Sequence, residues 1–183
     1  CLASENLLMN CSHTHSGPEI RTTGTALDGL DPERREKAVA YVESLQTKIL
    51  SSIDAAFIKL APAKISFQKA RAGFAMNRRL PSDTGYRNSP NPEGRVDHDV
   101  PLLRVEDTEG AITVIVFGYA CHNTTLGFYQ MNGDYAGYAQ HYIEEAHPGT
   151  VAMFMMGCGG DQNPYPRRKL ELAKQHGQTL ATA

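Results

Sequence analysis

Residues 100–119 read VPLLRVEDTEGAITVIVFGY, and this stretch sets the fold class. Two apolar runs rich in β-branched residues, Val100 to Glu106 and Ala111 to Tyr119, flank the polar segment Asp107-Thr108-Glu109-Gly110. Apolar runs joined by a short polar segment with glycine are typical of a β-hairpin. We therefore predict an antiparallel hairpin whose second strand is strongly buried.

Further strands and helices lie on both sides of this hairpin. Alternation predicts a strand from Lys64 to Ala72, and an apolar run predicts another from Val151 to Met156. Apolar spacing of three and four residues predicts a helix from Pro32 to about Pro62. A second helix follows Gly133 and is ended near His147 by Pro148-Gly149, and a third, from Arg167 to Leu180, begins after Pro166. Strands that alternate with helices favour an α/β layered domain with a mixed β-sheet flanked by helices, and ligands gather at strand ends in such sheets. Residues 80–99, rich in proline and glycine, are predicted to form a long loop.

The composition of the chain narrows its class. The 183 residues fit one domain, and 18 basic against 20 acidic side chains give a net charge of −2. Since there is no run of Lys and Arg, we expect no nucleic-acid partner. No apolar run approaches the roughly 18 residues that span a bilayer. The four cysteines, Cys1, Cys11, Cys121 and Cys158, show no CxxC spacing, so a disulfide framework is not predicted.

A pair of histidines separated by one residue follows an apolar run near the start of the chain. The segment Asn10-Cys11-Ser12-His13-Thr14-His15-Ser16-Gly17-Pro18 comes after Leu7, Leu8 and Met9, which we interpret as a buried strand. In β geometry residues i and i+2 share a face and lie about 6.6 to 7 Å apart at Cα. Both imidazoles could therefore serve one metal or catalytic centre, although a structural pair remains open at this point.

Other candidate site residues also follow predicted strands. His122 emerges from the end of the most apolar strand, and Arg78 and Arg79 follow the strand that begins at Lys64. Histidines at separate strand ends could bind one metal, and an arginine could stabilise a developing oxyanion. Asp161 is either a cap or a group that orients a histidine. The cluster Asp97-His98-Asp99 resembles a metal-binding cluster in composition alone.

The motif Ser12 to Pro18 resembles the SHTHSGP signature of the neutral/alkaline ceramidase family, zinc-dependent amidases that cleave the N-acyl bond of ceramide. Four other segments agree with the family in the same order, and they are Asn77-Arg78, Ala120 to Asn123, Gly133 to Ala139 and Gly160 to Pro164. The similarity spans nearly the whole chain. We expect residues 1–183 to be a single domain that forms part of a larger ceramidase-like catalytic domain, truncated at both ends.

The resemblance also implies roles for individual residues. His13 and His122 would bind zinc, His15 would contact the reacting carbonyl, and Arg78 would help to stabilise the tetrahedral intermediate. Two further zinc ligands of the family, a Glu and a Tyr, are expected outside this chain unless Asp134 or Asp161 replaces one. The implied substrate is ceramide or another lipid-like N-acyl amide, and the family suggests a secreted or periplasmic location.

Three alternatives remain open at this stage. A different metal hydrolase, such as a phosphoesterase, could use His13, His15 and His122 with an aspartate. A non-catalytic binding fragment could keep the histidines for structural reasons. A cysteine–histidine nucleophile built on Cys121 or Cys158 is the least favoured, because neither has a clear oriented base in the sequence.

Overall fold

A computed structural model describes residues 3–21 and 28–183, so that Cys1 lies outside the described residues. The chain divides into two compact units, Gly17–Pro62 and a larger one formed by Cys1–Ser16 with Ala63–Ala183. The single-domain organisation stays a prediction. No helix within the described residues is long and apolar enough to cross a membrane.

The smaller unit contains one long helix, α1 (Pro32–Ile58). It begins as predicted, because the side chain of Asp31 accepts a hydrogen bond from the backbone N–H of Arg34 at 2.9 Å and Pro32 occupies the first turn.

The described part of the larger unit contains eight strands and two helices after a short 3-10 helix at Ser4–Asn6. The strands are β1 (Lys64–Arg71), β2 (Ala75–Asn77), β3 (Arg79–Ser82), β4 (Gly85–Asn88), β5 (Asp99–Glu106), β6 (Ile112–Tyr119), β7 (Val151–Met156) and β8 (Gln162–Pro164). The helices are α2 (Asp134–Ala146) and α3 (Leu170–Thr182).

The central sheet has four strands in the order β1-β5-β6-β7. Strands β5 and β6 form the predicted antiparallel hairpin, β1 pairs antiparallel with β5, and β7 runs parallel to β6. Helix α2 connects the parallel pair, since parallel neighbours need a crossover. The mixed α/β class with helices beside the sheet is confirmed.

The hydrophobic core of the larger unit lies between one face of the sheet and helices α2 and α3. Alternate residues of β6, Ile115, Phe117 and Tyr119, are buried together with Tyr135 and Ile143 of α2. This alternation follows from the period of two in a strand. The core therefore fixes the end of β6, from which His122 emerges.

Two sequence-based assignments are wrong. Residues 7–9 form no strand, and Leu8 and Met9 are each 75% exposed. Instead, the side chain of Asn10 pairs with the backbone of Met156 at the end of β7, donating at 3.1 Å and accepting at 2.8 Å. The segment that precedes the histidines is thus attached to β7 through the side chain of Asn10, and not through the series of backbone hydrogen bonds that a strand would form.

The predicted loop at residues 80–99 contains the hairpin β3–β4. Its turn ends at Gly85, which has φ +119, a conformation that glycine adopts without the steric cost of a Cβ atom. Pro81 lies in β3, within a two-stranded ribbon where a missing ladder donor is tolerated. Glycine and proline here therefore mark a turn and an edge.

Candidate metal centre and its surroundings

Three imidazoles meet at one point of the larger unit. The ring centroids of His13 and His122 lie 4.5 Å apart, those of His13 and His15 5.0 Å, and those of His15 and His122 5.7 Å. One nitrogen from each ring can be chosen so that all three lie within 4.8 Å of one another. Among the described residues this is the only group of three or more histidine, cysteine or carboxylate side chains so arranged.

His122 is held with one nitrogen facing outward from the backbone. Its Nδ1 lies 2.7 Å from the carbonyl oxygen of Gly159, and its backbone N–H donates to the carbonyl of Gln162 at 3.0 Å. A carbonyl oxygen can only accept, so Nδ1 carries the proton of the neutral ring and Nε2 keeps a free lone pair. Metal-ligating histidines are commonly oriented by such a bond to their other nitrogen.

The loop with His13 and His15 is anchored on both sides. The buried amide of Asn123 donates to the carbonyl of Ser12, and the Thr14 hydroxyl donates to the carbonyl of Asn132 at 2.9 Å. His13 has φ +60, a left-handed conformation that is uncommon for a residue with a Cβ atom. Outliers of this kind gather at functional sites, where surrounding contacts hold them in place.

Asp134 organises the loop that follows His122. It is 2% exposed, has φ +53, and its carboxylate accepts from the backbone N–H groups of Thr125, Leu126 and Tyr135 at 3.1, 2.9 and 2.7 Å. Because backbone donors occupy its oxygens, Asp134 acts as a structural anion. It lies outside the group of potential metal ligands in the described chain.

Arg78 lies beside the imidazoles after β2. Its Nε and Nη2 donate to the carbonyl of Gly160 at 3.1 and 2.9 Å, and its Nη1 donates to Oδ1 of Asn163 at 3.3 Å. These neutral acceptors orient the guanidinium without neutralising it. Arg79 is exposed and makes a single longer bond to Gly160, at 3.3 Å.

Burial is the main cause that lowers the pKa of both His15 and His122. For His15 the neighbouring His13 and Arg78 lower it further, while Asp134 opposes them. For His122 the bond to Gly159 opposes the effect of burial, and Arg78 adds to it. Both shifts favour neutral imidazole, the form that binds a metal ion.

The other acidic candidates lie in different environments. The Asp161 carboxylate accepts from the side chain of Asn77 at 3.4 Å, and no histidine contact of this carboxylate is seen in the described chain. Within the cluster Asp97-His98-Asp99, the His98 ring bonds to the carbonyl of Ala75 and Asp99 pairs with Lys69 and Arg71. These side chains are engaged in structural contacts.

Cys121 is fully buried, and burial raises the pKa of its thiol well above the ordinary value. A thiol in that state is a poor nucleophile, which agrees with the low rank of a cysteine mechanism. His176 is also buried and stacks on Phe74, with ring centroids 4.5 Å apart. Its role is structural.

Several residues that support the site were not found from the sequence. The side-chain amide of Asn123 bonds to the carbonyl of Ser12, and the carbonyl of Gly159 bonds to the ring of His122. Both partners are distant in the chain, and no local pattern indicates them. Asp134 lies at the start of a predicted helix, and the sequence suggested it only as a possible substitute zinc ligand, not as an acceptor of backbone N–H groups. Only the topology brings these groups to the end of β6.

Together, the fold and the three imidazoles define an α/β protein with a candidate metal centre beyond the end of a buried strand. No family model matches the sequence. The sequence is 28% identical to neutral ceramidase A of Dictyostelium discoideum over 89% of this chain and 24% of the relative. It is also 28% identical to neutral ceramidase B of the same organism, over 88% of this chain and 24% of that protein.

The fold is also similar to those of solved ceramidase structures. A ceramidase complexed with C2 matches 94% of this chain and 29% of its own, with a TM-score of 0.70 and 19% identity. Neutral ceramidase from Pseudomonas aeruginosa matches 84% of this chain and 26% of its own, with a TM-score of 0.60 and 17% identity. These findings confirm the resemblance to the neutral ceramidase family. The chain spans about a quarter of the length of the curated relatives it matches.

Proposed function

We propose that this chain contributes a metal centre to an amidase that hydrolyses an N-acyl amide bond. The convergence of His13, His15 and His122 within 4.8 Å carries the proposal. The names of the relatives make ceramide the first candidate substrate, cleaved to sphingosine and a fatty acid. A related lipid-like amide fits the same chemistry.

The donor set fits a zinc ion, which prefers neutral imidazole among the nitrogen ligands of proteins. His13 and His122 are the proposed ligands, and the free Nε2 of His122 points to this use. The family resemblance implies a Glu and a Tyr as further ligands, from sequence outside this chain. Zinc in such a site acts as a Lewis acid and makes water a nucleophile near neutral pH.

The remaining side chains are proposed to act on the substrate. Arg78 is fixed by Gly160 and Asn163 yet keeps its positive charge, so it is suited to stabilise the oxyanion that develops on the amide carbonyl. His15 lines the same cavity as Arg78 and is a second group that can donate a hydrogen bond to the substrate. Preorganised donors of this kind favour the transition state over the substrate.

The phosphoesterase alternative has less support. It would use an aspartate beside the histidines, and within the described residues no carboxylate joins the group of three imidazoles. The non-catalytic alternative makes a different prediction, since structural histidines have no need of a metal.

Metal analysis and two substrates separate these possibilities. The full-length protein and its His13→Ala/His122→Ala double variant are purified, and zinc content and fatty acid release from ceramide are measured. We expect zinc and activity in the wild type and loss of both in the double variant. An exposed-histidine variant, His141→Ala, serves as the control. Equal zinc in all three proteins would reject the metal proposal, and activity on phosphate esters alone would favour the phosphoesterase.

A further inference from the structure

A cavity with arginines along its wall opens beside the imidazoles. It has a volume of about 370 Å³, and its lining includes His15, Thr124, Tyr129 and three arginines, Arg78, Arg167 and Arg168. None of the residues that line it is acidic. A substrate that reaches His15 would therefore place part of its structure against positive charge.

The topology brings the arginines together from two segments. Arg78 follows β2, and Arg167 and Arg168 follow β8, which pairs antiparallel with β2. The backbone N–H of Arg168 donates to the carbonyl of Thr125 at 2.6 Å, so the arginine segment is attached to the loop after His122. The positions of these charges are thus set by β2, β8 and the loop that follows His122.

A glycine makes room for the guanidinium of Arg168, and an aromatic ring orients that of Arg167. A Cβ atom at Gly127 would collide with the guanidinium of Arg168, so the absence of a side chain at Gly127 lets that group lie there. The guanidinium carbon of Arg167 lies 5.4 Å from the centroid of the Tyr165 ring, a cation–π contact that orients it without a counter-charge.

No carboxylate forms an ion pair with Arg78, Arg167 or Arg168 among the described residues. Asp161, whose charge acts on Arg78, accepts a hydrogen bond from Asn77. Asp134, whose charge acts on His15, accepts from three backbone N–H groups. Burial, followed by the charges of Arg79 and Arg167, lowers the pKa of Arg78, and the nearby Asp161 only opposes this. The cavity therefore carries positive charge that the described protein leaves unneutralised.

We propose that this cavity selects N-acyl amides that carry an anionic group close to the scissile bond, with Arg167 as a residue that determines specificity. The inference rests on the proposed amidase function and narrows its substrate class from neutral amides such as ceramide to related amides that carry an anionic group. A guanidinium binds carboxylate and phosphate through two parallel hydrogen bonds, and both anions fit this chemistry. A neutral amide of the same length leaves the arginines without that partner.

The test compares three amides that share one acyl chain. N-lauroylethanolamine is neutral, N-lauroylglycine carries a carboxylate, and the phosphate ester of N-lauroylethanolamine carries a phosphate. The kcat/KM of the zinc-loaded full-length protein is measured for each. We expect at least one anionic amide to exceed the neutral amide by about tenfold or more, as a charge-assisted hydrogen bond predicts. The preferred anion identifies the group that is recognised.

Three variants locate the preference. Arg167→Gln is expected to lower the ratio of anionic to neutral kcat/KM by about tenfold, and Arg167→Lys to restore part of it, since the charge remains without the planar fork. Arg71→Gln removes the same charge from an exposed position on β1 that does not line the cavity, and it should keep the wild-type ratio.

Each result bears on the inference separately from the proposed function. Hydrolysis of all three amides with equal kcat/KM, or an unchanged ratio in Arg167→Gln, would overturn the inference and leave the amidase function intact. If neither these amides nor ceramide is hydrolysed, the amidase proposal fails, and calorimetric binding of the same three compounds decides the inference. Tighter binding of an anionic amide that weakens in Arg167→Gln would support it, and equal binding of all three would overturn it.

Discussion

The imidazole of His122 and the backbone carbonyl of Gly159 meet at 2.7 Å, and this bond determines which nitrogen of His122 is free. Its donor comes from the end of β6 and its acceptor from the turn after β7, two parallel neighbours in the sheet. The carbonyl cannot be removed by substitution, but its position depends on close packing. A Cβ atom at Gly159 would lie 2.5 Å from the backbone nitrogen of Cys121.

We therefore expect Gly159→Ala to displace the carbonyl and weaken zinc binding. Loss of a partner that orients a ligand typically costs about 10- to 100-fold in metal affinity. The affinity is measured by competition with a chelator. Gly160→Ala is the matched control, because a Cβ atom there meets nothing within 4 Å and the carbonyl that holds Arg78 remains. Equal affinities of the two variants would contradict the orienting role of the Gly159 carbonyl.

Arg78 and Arg79 are adjacent in sequence but differ in environment. Arg78 is half-buried, is held by Gly160 and Asn163 and lines the cavity, whereas Arg79 is exposed. We expect Arg78→Gln to lower kcat by about 10²-fold, as removal of an oxyanion donor does. Arg79→Gln should change kcat by no more than a few fold. Zinc content should stay the same in both, and similar losses in kcat would contradict the assignment.

The sequence predicted the features that depend on residue type and local pattern. It did not predict those that depend on hydrogen bonds to backbone groups far away in the chain. The hairpin of β5 and β6 follows from apolar runs and a polar turn, and the SHTHSGP motif indicates His13 and His15. The apolar run before this motif led to a wrong strand at residues 7–9, because an apolar run does not show whether a sheet edge is free to pair with it. The Asn10 amide occupies that edge at Met156. Bonds across more than one hundred positions leave no local pattern.

Among the acidic residues of the larger unit, Asp134 is the one whose substitution we expect to lower the free energy of unfolding most. Asp134→Ala removes the acceptor of three backbone N–H groups, two of them in the buried loop after His122. Unsatisfied buried donors cost about 1–3 kcal/mol each, so we expect the free energy of unfolding to fall by roughly 3 kcal/mol or more. Asp134→Asn keeps one acceptor oxygen, and asparagine tolerates the positive φ. Its free energy of unfolding should therefore lie between those of the wild type and Asp134→Ala. Urea unfolding gives the values.

The exposed Glu109 provides the comparison for this series. Its side chain lies in the turn between β5 and β6, and Glu109→Ala should change the free energy of unfolding by no more than about 0.5 kcal/mol. A loss in Asp134→Ala as small as the change in Glu109→Ala would contradict the structural role of the carboxylate.

Buried histidines also make the stability of the metal-free protein depend on pH. The pKa of His176 is lowered from 6.5, mainly by burial, although its bond to the carbonyl of Pro166 opposes this. Below pH 6.5 the unfolded chain therefore binds more protons than the native state. The free energy of unfolding should fall as the pH drops from 6.5 toward the native pKa and stay level above 6.5. One such group contributes at most about 1.4 kcal/mol per pH unit.

Urea unfolding between pH 5 and 8, with a chelator present, tests this dependence. His176→Gln should lower the slope below pH 6.5, since glutamine can still donate to Pro166 but does not titrate. Part of the slope should remain, because the pKa values of His15 and His122 are lowered as well. His141→Gln changes an exposed side chain and should keep the wild-type slope. If His176→Gln keeps the wild-type slope of unfolding free energy against pH, His176 is not a source of the pH dependence. If the free energy of unfolding rises on acidification, the lowered pKa values of His15, His122 and His176 are all contradicted.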